Sequence, residues 1–160
     1  MDQLGAGAML VCIYARARWS DLRYVHRVEL EKGRNGAMVI YTQEHKTSAV
    51  GLRREQYLPL VVPWEGVISG DWISLFTQVY ERLGLELHKV PLGPLIPAPR
   101  AGGGFCARPL STQEASKWLR LLLSGTPNSE QVRSHSMKAT LLNWAARAGL
   151  DKEVLSLIHI

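Results

Sequence analysis

Hydrophobic residues run almost unbroken from Leu4 to Ala17, a stretch compatible with a helix. The pattern then loosens. In "YVHRVELEKGRNGAMVIYTQEHKT", Val25, Val28 and Leu30 sit among charges, "GRNG" supplies turn chemistry, and "AMVIYT" is strand-like. That combination predicts a β-hairpin. After the connection "EHKTSAVGLRREQ", the run "YLPLVVP" reads as a third strand. Three strands in succession favour a small antiparallel sheet.

Beyond Pro63 the spacing becomes helical. Trp72, Leu75, Phe76, Val79 and Leu83 recur on one face, with Ser69 or Asp71 as the cap and Gly84 as the stop. Residues 85–110 hold most of the prolines and a glycine triplet, which predicts a long irregular loop. Ser111 and Glu114 form a capping-box pattern ahead of Trp118, Leu121 and Leu122. In "SHSMKATLLNWAARAGL", Met137, Leu141, Trp144, Ala145 and Ala148 share a face, with Ser134 as N-cap and Gly149 as stop. "DKEVLSLIHI" reads as a last helical piece. The expected fold is α+β and mainly helical, a single domain over 1–160 with a three-stranded antiparallel sheet in its N-terminal half.

Composition adds limits. A hydrophobic share of 46% and a charged share of 21% suit a globular chain with a real core. The net charge of +5 suits a polyanionic partner and leaves the fold open. Cys12 and Cys106 have neither metal spacing nor the pattern of a disulfide framework, so a reducing compartment is expected. "AMLVCIYA" is too short to span a bilayer and lacks the flanks of a signal peptide. The expectation is a soluble intracellular protein with no membrane partner.

Three basic sites carry candidate chemistry. His135 and Lys138 open a helix with no carboxylate in its first turn, where the backbone favours an anion. The plainer reading is a surface His beside a surface Lys. Arg16 and Arg18 end the first apolar segment, and arginine grips phosphate through two parallel N–H bonds. The alternative there is a solvated basic turn. Lys46 lies between the second and third strands, where it is either a group reaching into a groove or a solubilising lysine.

Taken in order, these residues resemble the catalytic domain of the tyrosine recombinases, the phage-integrase family. That family's first box reads roughly Gly-Leu-Arg-x-Ser-Glu-Leu. "ARARWSDLRYV" puts Arg18 on its arginine, with Ser20, Asp21 and Leu22 in register. Lys46-Thr47 matches the family's hairpin lysine, and "LPLVVP" the apolar-Pro strand after it. His135-Ser136-Met137-Lys138 matches His-x-x-Arg at a helix start. The resemblance covers about Leu4 to Leu155.

It also has departures. Lys138 keeps the charge of the family's second arginine but loses the bidentate fork. His159 stands near a family His or Trp position, without the preceding glycine. The family's nucleophilic tyrosine follows the second box, whereas Tyr14, Tyr24, Tyr41, Tyr57 and Tyr80 all precede His135. The expectation is a fragment cut at both ends, inactive by itself.

The resemblance implies attack of a tyrosine on a phosphodiester, giving a 3′-phosphotyrosyl link and a free 5′-hydroxyl. Arg18 and Lys138 would hold the non-bridging oxygens, His135 would orient or deprotonate the nucleophile, and Lys46 would protonate the departing oxygen. The partner implied is double-stranded DNA, with a multimer on DNA in the complete protein. No metal and no small-molecule cofactor are implied. Two alternatives stay open: a non-catalytic DNA-binding or scaffold domain derived from such an enzyme, and a basic α+β protein with no nucleic-acid role. The last predicts that Arg18, Lys46 and His135 lie far apart.

Overall fold

The chain begins with a helix that is buried on several sides, and the other elements are laid against it. The computed structural model describes residues 2–33, 35–43, 58–66, 70–151 and 153. Within them run α1 (Asp2–Tyr14), β1 (Val25–Glu31), β2 (Ala37–Thr42), β3 (Leu58–Pro63) and α2 (Trp72–Arg82). These are followed by β4 (Pro97–Pro99), β5 (Phe105–Pro109), α3 (Thr112–Leu122) and α4 (Ser136–Arg147). The class is α+β.

Helix α1 is apolar around its circumference, as a helix inside a core must be. Leu4, Ala8, Val11 and Cys12 are fully buried, and α1 touches α2, α4 and β3. Two glycines explain how it is approached so closely. A Cβ at Gly5 would lie 1.9 Å from the Trp118 ring of α3, and one at Gly7 would lie 2.1 Å from the Phe76 ring of α2. Each glycine costs a helix interior about 1 kcal/mol relative to alanine. Here each lets an aromatic ring lie against the backbone.

The sheet runs β1–β2–β3, antiparallel throughout. Strand β2 alternates strictly, with Met38, Ile40 and Thr42 turned into the core. In β1 the buried residues are Val25 and Val28, an odd spacing for a strand. An irregularity in register between Val25 and Arg27 accounts for it. A bulge inserts one residue and restores the inward face. In β3, Leu60 and Val62 point inward while Val61 is 55% exposed.

The helix stops follow the expected chemistry. Asp71 caps α2 by accepting the Ser74 N–H at 2.9 Å, and the Ser74 hydroxyl bonded to its carboxylate holds its pKa down. Gly84 and Gly149 end α2 and α4 at positive φ. Behind them the Leu85 N–H reaches the Tyr80 carbonyl and the Leu150 N–H the Ala145 carbonyl, the Schellman closure.

Residues 85–110 depart from the long irregular loop that their composition predicts. They contain the hairpin β4–β5, and the glycine triplet forms its turn, with Gly103 and Gly104 at positive φ. The segment is also docked on β1, since Val25 and Gly93 exchange both backbone hydrogen bonds. Its apolar residues Leu87, Leu95, Ile96 and Ala98 are buried. Proline tolerates this setting because the strand is short and pairs on one side. Burial of those four side chains outweighed the turn-forming composition.

The apolar stripe of α4 is only partly covered. Met137 is buried and Leu141 half-buried, but Trp144 is 44% exposed. Among the described residues no helix is long and apolar enough to cross a membrane.

Substituting Gly5→Ala separates packing from helix propensity. Propensity alone would stabilise by about 1 kcal/mol. Displacing Trp118, which also donates to the Asp2 carboxylate at 3.1 Å, is expected to reverse that sign and cost about 1–3 kcal/mol net. Chemical denaturation reads the difference, and a variant more stable than the parent would contradict the close contact.

Candidate functional site

The segment around Arg18 is built by burying its neighbours. Arg16, two residues beyond α1, has φ 51°, a left-handed conformation unusual for a side-chain-bearing residue. The chain then turns into a short 3₁₀ helix, Trp19–Leu22. Trp19 and Leu22 are buried, and the Trp19 indole donates to the Leu110 carbonyl at 3.0 Å. Asp21 accepts the Arg18 N–H at 2.8 Å. With Trp19 turned inward and its own backbone fastened, Arg18 is held half-exposed at the start of the turn. Nearby, Nε of Arg16 is buried with no hydrogen-bond partner. Buried donors are ordinarily paired, so an unpaired cationic one is a notable feature of this turn.

The start of α4 differs from the expected cap. Ser134 is not the N-cap. It is buried, and its N–H donates to the Ser116 hydroxyl of α3 at 3.2 Å. The helix begins at Ser136, and His135 precedes it already in helical dihedrals, with no side-chain cap bond. The reason is tertiary: the Ser134 backbone is fastened to Ser116 of α3, and the helix starts one residue later than a serine cap would set it. Because His135 has helical geometry, the three-residue spacing still sets it beside Lys138. His135 is exposed, Lys138 half-buried, and no carboxylate stands in the first turn.

Between α3 and this start lies an open groove of about 560 Å³, lined by Thr112, Gln113, Ser116, Lys117, Arg120, Arg133, Ser134 and His135. Arg18 and Lys138 do not line it. Lys46 and His159 lie outside the described residues. The structure therefore links the Arg18 turn and the His135 turn through α3. Leu110, just before the α3 cap, receives Trp19, and Ser116, in the second turn, receives Ser134. Lys117, Arg120 and Arg133 were not singled out by sequence. For Lys117 and Arg120 the one signal was their helical spacing with Gln113 on the exposed side of α3, and for Arg133 there was none.

The capping box of α3 forms as expected, with Ser111 and Glu114 bonded reciprocally. Arg108 grips Glu114 with two bonds, at 2.8 and 2.9 Å. That pairing holds the Glu114 carboxyl down at about 2. Glu114 is thus committed beside the groove and does not line it.

No known family model matches the chain, and no curated protein matches it.

The described tyrosines are engaged in structure. The Tyr80 hydroxyl donates to the Leu95 carbonyl at 3.1 Å, and burial raises its pKa. Tyr41 donates to Glu29 beneath the Arg27 guanidinium. Tyr14 stacks on Trp72, and Arg23 lies over Tyr24. Burial likewise pushes the Cys12 thiol up, which removes it as a nucleophile. Among the described residues no three His, Cys, Asp or Glu side chains cluster as a metal site.

Ser116→Ala tests the joint between α3 and α4. It leaves the buried Ser134 N–H without its acceptor, at an expected cost of about 1–3 kcal/mol. Amide hydrogen exchange at Ser134 and His135 should accelerate beyond the global change. Unaltered protection there would show that the bond does not hold the turn.

Proposed function

We propose that this chain is a catalytic domain for breaking and rejoining DNA strands by the tyrosine-recombinase route, encoded by a mobile element. One observation carries the reading. An arginine fixed on the turn after α1 is followed by a three-stranded antiparallel sheet, whose β2–β3 connection contains Lys46, and then by a helix opening at His135. A groove without a carboxylate in its lining adjoins His135. On this reading the protein works inside the cell, in the nucleus or the cytoplasm and nucleoid depending on the host, on double-stranded DNA, and as a multimer on that DNA.

The division of labour follows from charge and proton demand. Attack of a tyrosine oxygen on phosphorus places extra negative charge on the non-bridging oxygens, and fixed cations stabilise it. Arg18 and Lys138 serve there. His135 accepts the tyrosine proton, and Lys46 gives one to the departing 5′-oxygen. His159 is the remaining candidate for a supporting donor. Tyr14, Tyr24, Tyr41, Tyr57 and Tyr80 all precede His135, so none of them stands at the family's nucleophile position.

Lys138 favours a second reading, a non-catalytic DNA-binding or scaffold domain of the same descent. A lysine lacks the planar fork that holds two phosphate oxygens at once.

Cleavage of a nicked suicide duplex by the protein that carries this chain separates the two. His135→Ala is expected to lower strand cleavage by about 10²–10⁴-fold while leaving most DNA binding. Cleavage at the parental rate would sink the assignment of His135. DNA binding without any covalent adduct in the parent would favour the scaffold.

A further inference from the structure

Cations in this protein fall into two kinds. Some are already satisfied: Arg27 is paired with Glu29 at 3.2 Å, and Arg108 with Glu114 at 2.8 Å. Others have no carboxylate partner among the described residues, and three of these, Lys117, Arg120 and Arg133, converge on the groove between α3 and α4. Arg120 Nε bonds the Ser116 carbonyl, and one Arg133 nitrogen bonds the carbonyls of Glu130 and Val132. Their remaining donors face solvent, because all three residues are exposed.

Such an arrangement does not favour the folded chain. Lys117 and Arg120 are three residues apart on α3, about 5–6 Å between Cβ atoms, and like charges at that spacing destabilise a helix by a few tenths of a kcal/mol. Arg133 and His135 add charge or dipole from the opposite wall. A polyanion reverses the sign of that repulsion.

We infer that the Lys117, Arg120 and Arg133 side chains form a track for the phosphate backbone of duplex DNA, leading to His135. This rests on the DNA reading above and extends it to residues outside the recombinase motifs. Two features of the lining select the partner. Its other residues are Thr112, Gln113, Ser116 and Ser134, which are hydrogen-bonding groups suited to phosphate and sugar oxygens. It has no Phe, Tyr or Trp, and proteins that hold single strands rely on aromatic platforms for the bases. The track therefore reads backbone rather than sequence. The joint between Ser134 and Ser116 fixes one wall to the other, so phosphates on the track set the position of His135.

The test is duplex binding by the 160-residue chain, measured by fluorescence anisotropy across a salt series. The parent is compared with the variant Lys117→Gln/Arg120→Gln/Arg133→Gln and with a control Lys32→Gln/Lys89→Gln/Arg100→Gln that has the same change in net charge. Removing one cation that neutralises a phosphate lowers the slope of log affinity against log salt by about 0.9, so the track variant should fall by about 2–3 in slope. The control should keep the parental slope. The double variant Lys117→Gln/Arg120→Gln leaves the loop before α4 intact and should fall by about 2, which covers a triple variant that fails to fold. Equal slopes for track variant and control would overturn the track while leaving DNA binding in place. Tighter binding of a single strand than of the duplex would overturn it too. No duplex binding by the parent at low salt would overturn the DNA reading itself, and the track with it.

Discussion

Two buried hydrogen bonds at the start of α3 hold the two basic turns of this protein in place. The Trp19 indole donates to the Leu110 carbonyl, and the Ser134 amide donates to the Ser116 hydroxyl. The first pair spans 91 residues of sequence and the second 18. One fastens a basic turn to the residue before the α3 cap, the other to the second turn of α3. α3 in turn is fixed by its capping box and by Trp118 lying on Gly5 of α1. The rigid core thus extends to the loops that carry Arg18 and His135. Loops are the usual place for such residues, and a packed scaffold is what makes them precise.

Electrostatics then divides the surface. On the outer side of the sheet, Arg27, Glu29 and Tyr41 satisfy one another. Beside β5, Arg108 and Glu114 do the same. Exposed pairs of this sort add little stability, but they remove cations from competition for a ligand. Of the cations without a carboxylate partner among the described residues, Lys117, Arg120 and Arg133 converge on one groove. The net charge of +5 therefore understates how the basic groups are distributed.

Most of the fold could be read from the sequence because its signals were local. The alternation in β2, the Asp71 and Ser111 caps, and the Gly84 and Gly149 stops depend on residues a few positions apart. The hairpin β4–β5 escaped because proline and glycine predict a loop, while the docking of Gly93 on Val25 is set by tertiary packing. The Ser134 cap escaped for a related reason. A serine before a helix caps it by default, and only the distant Ser116 redirects it. The sequence singles out Arg18, His135 and Lys138, of which His135 lines the groove, and does not single out Lys117, Arg120 and Arg133. Basic residues on an exposed helix face look like a solvated surface until a second wall is set against them.

If the Arg18 turn, the His135 turn and the α3 face between them meet one DNA ligand, they must respond to it together. The most direct measurement is an NMR titration of the ¹⁵N-labelled chain with a short duplex. The amides of Arg18, Lys117, Arg120 and His135 are predicted to shift together along one saturable curve. Perturbation confined to the outer face of β1 and β2, around Arg27 and Tyr41, would contradict a shared ligand, as would a spectrum unmoved by DNA.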